Sequence, residues 1–543
     1  MPDLPHGGRL AAARLAQHGV SHLFTLSGGH LFSLYDGVKH EGLTLIDVRH
    51  EQTAAFAAEG WAKVTRTPGV AALTAGPGVT NGLSAMGSAL TNRSPMVVLG
   101  GRAPQMRWGQ GSLQEIDHLP FVTPLTRSAR TVTGPDDIQP SLDAAFAAAQ
   151  GPPGGPAFVD FSLDHVFMEA AALDTPPPAL AAEAPVDGGD LERAIELLRG
   201  AERPVVMAGT DLYWAHGEDE LVAFAEALHT PVFTNGQARG CIPADHELAF
   251  SRVRSRALKE ADVALVVGVP LDFRLGFGGS FGPETKIVTL QRAPFDAQPP
   301  RAADVALIGD IAAALASLTS GVAGAAGHDA ANLAALREAE TQARAAQTGD
   351  LTSDQHPIHP MRIYGDLVDV LGRDAIVICD GGDFASYAGQ VVDRYQPGTW
   401  LDPGPFGCLG AGPGYALAAK LAHPDREVVI LYGDGAFGFS AIEFDTLARH
   451  GVHVVGVMGN NGIWALEKHP MEFIYGYSLA ADLRPETRYD ELVNALGGHG
   501  ELVKNPADVR PALERALGAT GQPALVNIAT DPDTKYPRKA NLG

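Results

Sequence analysis

A chain of 543 residues is long enough for three domains of ordinary size, and 45% hydrophobic with 19% charged residues is the composition of a globular protein. A formal net charge of −23 excludes a nucleic-acid partner, because phosphate backbones require clustered Lys and Arg. No apolar run reaches the roughly 18 residues of a membrane span. The opening MPDLPHGGRLAAARLAQHG lacks the apolar core of a secretory signal, and Cys241, Cys379 and Cys408 offer neither metal spacing nor a disulfide framework. The cytoplasm is the location these features predict.

Residues 1–170 alternate apolar runs (HLFTL, LTLIDV, GVAALTA, PMVVLGG, PAFVDF) with Ala-rich helical stretches. The Pro- and Ala-rich ALDTPPPALAAEAPVDGG reads as a linker. A second unit, 189–322, carries PVVMAG, TPVFTN, VALVVGV and KIVTL, and a composition shift at SGVAGAAGHDAANL marks a second linker. The third, 356–543, carries AIVICD, EVVILYG, HVVGVMG and PALVNIA. The fold class expected is α/β, with three consecutive domains that each hold a parallel sheet flanked by helices.

Several stretches carry candidate chemistry. SGGHLF puts His30 after Gly28 and Gly29 at a strand end, and VRHEQTAAFAAEGWAK opens an amphipathic helix on Glu51. A first-turn Glu is often only a helix-dipole partner. TAGPGVTN, ending at Asn81, lets the backbone approach a flat ring closely. The middle unit contains SRVRSRALKEADVALVVGVPLDFR, a cluster of arginines in an acidic chain. Arg recognises phosphate bidentately, although a solvated surface helix explains such a cluster equally well. In ILYGDGAFGFSAIEFDTLARHGVHVVGVMGNNGI two buried strands flank a helix predicted from about Phe439 to His450. The right-handed crossover rule makes those strands parallel neighbours, so Asp434 and Asn461 sit beyond their carboxyl ends, where open α/β sheets bind ligands. Oxygen ligands supplemented by phosphate suit Mg²⁺.

Asp434 and Asn461, 27 residues apart in GDG…NN, resemble the signature of the thiamine-diphosphate enzymes, the family of acetolactate synthase, 2-hydroxyacyl-CoA lyase and benzaldehyde lyase. The resemblance covers nearly the whole chain. It implies thiamine diphosphate and Mg²⁺, the metal held by Asp434, Asn461 and the carbonyl of Ile463. It implies that Glu51 hydrogen-bonds N1′ of the aminopyrimidine, and that Gly28, Gly29, Asn81, Gly382, Asp383, Gly435 and Ala436 contact the cofactor. Leu409 in GPFGCLGAGPGYALAAKLA matches the apolar wedge that bends it. The pyrimidine-binding domain (1–170) and the diphosphate-binding domain (356–543) of different subunits complete each site, so a homodimer or homotetramer is implied.

The reaction is where the resemblance divides. His30 resembles the histidine of benzaldehyde-lyase-like and some hydroxyacyl-CoA-lyase-like enzymes, and Gln114 in GSLQEIDHLPF matches a substrate-side amide. Arg254 and Arg256 resemble CoA-lyase sequences whose middle domain contacts an ADP-like group, whereas Asp272-Phe-Arg274 also resembles acetolactate synthases. Arg127 stands where a lysine is usual, and GIWALEKHPMEF lacks the Arg-Gln-Trp-type segment of those synthases. Trp464 and Glu467 are the substrate-side candidates within it, and FAD or ADP/CoA is the ligand implied for the central domain. The expectation is a 2-hydroxyacyl-CoA lyase, which splits a small-molecule thioester. The alternative is an acetolactate synthase, which condenses two 2-oxo acids with loss of CO₂. A non-catalytic paralogue is a third reading, set aside by the presence of Glu51, Asp434 and Asn461.

Overall fold

A computed structural model describes residues 4–296 and 299–537. It contains three parallel sheets. The first holds β1 (His22–Thr25), β2 (Thr44–Asp47), β3 (Gly69–Leu73), β4 (Met96–Arg102), β5 (Ser128–Thr131) and β6 (Pro156–Ser162), in the order β2-β1-β3-β4-β6-β5. The second holds β7 (Pro204–Ala208), β8 (Val232–Thr234), β9 (Val263–Val267), β10 (Lys286–Gln291) and β11 (Val305–Ile308), ordered β11-β10-β9-β7-β8. The third holds β12 (Ile376–Asp380), β13 (Trp400–Leu401), β14 (Val428–Gly433), β15 (Val455–Asn460), β16 (His499–Val503) and β17 (Ala524–Ala529), ordered β13-β12-β14-β15-β17-β16. The first and third sheets therefore share one topology, a likeness that no short sequence repeat announces.

Strands such as β3, β4 and β6 are buried along their whole length, as helices on both faces require. The single helix expected over 439–450 is instead two, Asp434–Ser440 and Glu443–Arg449. The first begins directly at the strand end, so the break falls where the apolar spacing had suggested a start. Among the described residues no helix is long and apolar enough to cross a membrane.

The first and third domains share one hydrophobic core, which runs from Phe56 and Met86 to Ile378 and Ile430. Its spine is a pair of helices, Glu51–Thr65 and Gly412–Ala422, crossing without a gap. A Cβ on Gly60 would lie 2.7 Å from the Tyr415 backbone, and one on Gly414 would lie 2.8 Å from Phe56 Cβ. Glycine is what permits this approach. A buried polar network spans the same contact: Lys63 Nζ lies 3.1 Å from Glu59 Oε1, and Tyr415 Oη donates to Glu59 Oε2 at 2.7 Å. Lys63 also donates to the Asp402 carbonyl at 2.6 Å, and Asn92 to the Pro403 carbonyl at 3.2 Å. The loop that carries Leu409 is thereby tied to the first domain.

Candidate active site

The first group of candidates gathers beyond the carboxyl ends of β1, β2 and β3. Glu51 is the first residue of its helix and is buried, and its Oε2 accepts from Asn81 Nδ2 at 2.9 Å, so the two candidates are brought together. His30 is buried rather than exposed on its loop, and its Nδ1 lies 3.3 Å from Thr74 Oγ1. Burial, then the neighbouring His118 ring, hold its pKa below the ordinary 6.5, which keeps the imidazole neutral near neutral pH. Gly28 lies flush with Thr74, where a Cβ would sit 2.3 Å from that side chain, and Gly29 opens the short helical turn under His30. Gln114 has φ +59°, an uncommon backbone for a residue with a side chain.

The second group occupies the carboxyl ends of the adjacent strands β12, β14 and β15. Asp434 Oδ2 accepts from the Gly462 amide at 3.1 Å, and Asn461 Nδ2 lies 3.5 Å from Asp383 Oδ2. Burial, with the charge of Asp383 adding to it, pushes Asp434 up to about 7. Two buried carboxylates side by side retain protons, and a divalent cation beside them reverses that. The donors available are hard oxygens, as Mg²⁺ demands. Among the described residues no cluster of three or more His, Cys, Asp or Glu could hold a metal, so a cation here would need further oxygens from elsewhere, as a phosphate group could supply. Gly382, with φ +80° and nothing near its missing Cβ, starts helix Gly382–Val391 and leaves backbone amides open to an anion. The donor set therefore fits a hard divalent cation such as Mg²⁺ together with a diphosphate.

Gly382, Leu409, Trp464, Glu467 and Arg274 line one cavity of about 620 Å³, and no residue of the first domain lines it. Gly435 packs against the Trp464 ring, and Ala436 faces Gly381. Asp380 went unnoticed in the sequence. It is fully buried, accepts from the amides of Gly410 and Gly412 at 2.9 and 2.7 Å, and so grips the chain immediately after Leu409. Burial raises it to about 6. Its only signal was its place as the last residue of a strand before Gly-Gly.

A second crevice of about 330 Å³ lies at the ends of β7, β8 and β9, where the strand order of the middle sheet reverses. It is lined by Thr210, Asn235, Gly268 and Arg274, and it joins the first cavity through Phe273, Arg274 and Pro405. Asn235 Nδ2 is buried there without a hydrogen-bond partner among the described residues. Arg274 is held by Asp272 at 2.6 Å. Arg254 and Arg256 line neither cavity, and Arg256 pairs with Glu260 at 2.9 Å on the surface.

Comparison with known proteins places three family models along the chain. The thiamine pyrophosphate enzyme N-terminal TPP-binding domain matches residues 5–121, the central domain 191–318 and the C-terminal TPP-binding domain 380–528. "Acetolactate synthase large subunit IlvG" of Mycobacterium tuberculosis and "Probable acetolactate synthase" of Mycobacterium bovis are each 58% identical over 542 residues, covering 99% of this chain and 98% of theirs. "2-hydroxyacyl-CoA lyase 2" of Homo sapiens is 34% identical over 573 residues, covering 96% of this chain and 90% of its own. These findings overturn the expectation of a 2-hydroxyacyl-CoA lyase. The proteins of that name stand far below the synthases in identity, and the departures at Arg127 and in GIWALEKHPMEF do not outweigh that likeness.

Proposed function

We propose that this chain, which belongs to the thiamine pyrophosphate enzyme family, is the catalytic subunit of an acetolactate synthase that condenses two 2-oxo acids with loss of CO₂. The single observation carrying this reading is 58% identity over essentially the whole length of a protein so named. The chain is a thiamine-dependent enzyme.

When bound, the thiazolium ring of the cofactor supplies an electron sink next to the substrate carbonyl. Glu51 holds and returns a proton at N1′ of the aminopyrimidine, with Asn81 fixing its carboxyl. Asp434, Asn461 and the Ile463 carbonyl would hold Mg²⁺, while Gly382 and the helix it opens would receive the diphosphate. Leu409 would pack against the bound rings. His30 and Gln114 face the substrate, and Trp464 and Glu467 close the opposite wall. In the net reaction one 2-oxo acid loses the bond to its carboxylate and releases CO₂. Its carbonyl carbon then bonds to the carbonyl carbon of the second, whose oxygen takes up a proton.

We infer that the active unit is at least a dimer. The cavity with Leu409 and Trp464 has no wall from the described residues of the first domain, which supports a second chain bringing Glu51 to it. Large apolar side chains exposed beside each half support this, among them Leu113 next to Gln114 and Phe473 and Tyr475 beyond Glu467. We also infer a nucleotide ligand, FAD or an ADP moiety, in the middle crevice, where the orphan amide of Asn235 awaits an acceptor. Denaturing the purified protein and reading the supernatant for flavin or adenine absorbance separates the two, and neither signal removes the inference.

The deciding assay mixes purified protein, thiamine diphosphate, Mg²⁺ and pyruvate and follows products by mass spectrometry. Acetolactate with equimolar CO₂ is expected. Turnover of 2-hydroxyacyl-CoA in the absence of any product from pyruvate would overturn the reading.

A further inference from the structure

His118 is almost fully buried and both of its ring nitrogens are occupied. The Gly76 amide donates to Nε2 at 3.0 Å, so that nitrogen carries no proton. The proton therefore sits on Nδ1, which donates to Asp160 Oδ2 at 3.0 Å. Asp160, fully buried on β6, also takes a hydrogen bond from Arg102 Nη1 at 3.2 Å, and the Arg102 guanidinium lies 3.8 Å from the centre of the Trp108 ring. A charged chain thus runs from Arg102 through Asp160 and His118 to one backbone amide.

That amide belongs to a turn on which both substrate-facing candidates rest. Gly76 has φ +62°, and a Cβ there would lie 3.0 Å from the Gln114 carbonyl oxygen and 3.1 Å from its Cβ. Gln114 keeps its left-handed backbone against this turn. Two residues earlier, Thr74 touches His30. Replacing a buried charged network by apolar packing is often neutral or stabilising, so bulk stability is a weak explanation for this one. Strained backbone persists only where its surroundings over-determine it.

The geometry points to His118, oriented by Asp160, as a positioning residue: by holding the Gly76 amide it fixes the turn that places Gln114 and His30 against the substrate. The inference rests on the proposed condensation. Loss of CO₂ is unimolecular once a 2-oxo acid is bound, whereas joining the second 2-oxo acid needs two reactants aligned, so misplacement weighs on joining. The carbon left after CO₂ loss is otherwise protonated and released as the aldehyde.

The test compares wild-type holoenzyme with His118→Gln, His118→Leu and His118→Asn. Gln keeps an acceptor for Gly76 and a donor for Asp160, Leu keeps neither, and the shorter Asn cannot span both. For Leu, acetolactate kcat should fall roughly 10- to 100-fold while the ratio of acetaldehyde to acetolactate rises about tenfold, with Gln within about threefold of wild type on both measures. A purely structural role would lower Tm and leave the ratio unmoved. Wild-type ratio and kcat in a folded Leu variant, or a Gln variant as impaired as Leu, would overturn the inference. If Leu does not fold, the ratio in Asn decides in the same way. Hydrogen–deuterium exchange of segments 74–78 and 110–117 is read in parallel and needs no substrate: faster exchange in Leu or Asn, restored in Gln, is expected. If wild type makes no acetolactate, the proposed function fails, and the exchange pattern alone upholds or overturns the role of His118.

Discussion

Glu51 meets Asn81 at hydrogen-bond distance, and in the proposed reading its carboxyl serves the aminopyrimidine. Glu51→Gln should lower kcat by about 10² or more, the scale of removing general acid–base catalysis, while thiamine diphosphate remains bound. Stopped-flow turnover beside a binding titration checks this, and near-normal kcat would remove the assignment. Asp434→Ala and Asn461→Ala should instead lose cofactor affinity first and be partly rescued by excess thiamine diphosphate and Mg²⁺. Unchanged affinity after Asp434→Ala would reduce the GDG turn to a strand end. His30 gives the pH prediction. Burial and His118 lower its pKa, with Thr74 and the Leu113 carbonyl as its other neighbours. The neutral ring therefore survives as pH falls below 6.5, and kcat should drop only at a lower pH, as protonation overtakes the depressed value. That limb of the kcat–pH profile should be missing in His30→Gln. At this scale the sequence exposed what its motifs spell out, namely Glu51, Asp434 and Asn461. It was silent on Asp380, Thr74 and His118, because each acts through a partner distant in the chain and none stands in a motif of its own.

Among elements, the strands missed from the sequence were β5, β11, β13 and β16, and each lies at an edge of its sheet. The burial of β5 is partial throughout, and β11 alternates buried and exposed residues, so neither shows the continuous apolar run that marks a strand covered on both faces. β13 is only two residues long. The helix pair Glu51–Thr65 and Gly412–Ala422 carries its own prediction. Lys63→Met removes the one cationic partner the buried Glu59 has among the described residues, which should cost roughly 3–5 kcal/mol. Tyr415→Phe removes one donor to the same carboxylate and should cost about 1–3 kcal/mol. Adding Glu59→Gln to Lys63→Met should recover much of the first loss. Thermal unfolding of the four proteins reads the order, and equal Tm values for Lys63→Met and wild type would contradict it.

For the whole molecule, the proposed sharing of active sites between chains has a sharp test. Glu51→Gln spoils the half-site contributed by the first domain, and Asp434→Ala spoils the half contributed by the third. Co-refolded or co-expressed, a mixed dimer holds one doubly damaged site and one intact site. Random pairing should therefore return about a quarter of wild-type activity from two inactive parents. No recovery, with mixed dimers confirmed by native mass spectrometry, would place Glu51 and Asp434 in the same chain's site.

The close crossing at Gly60 and Gly414, with Lys63 reaching the 402–403 loop, bears on how such a protein can be recombined. A chimera that takes residues 1–170 from a relative and keeps the rest would set foreign side chains against a helix contact with no slack. The exchangeable module is not the domain. It is the first domain together with the loop and helix from about 402 to 422, two stretches distant in the gene that must be inherited as one part.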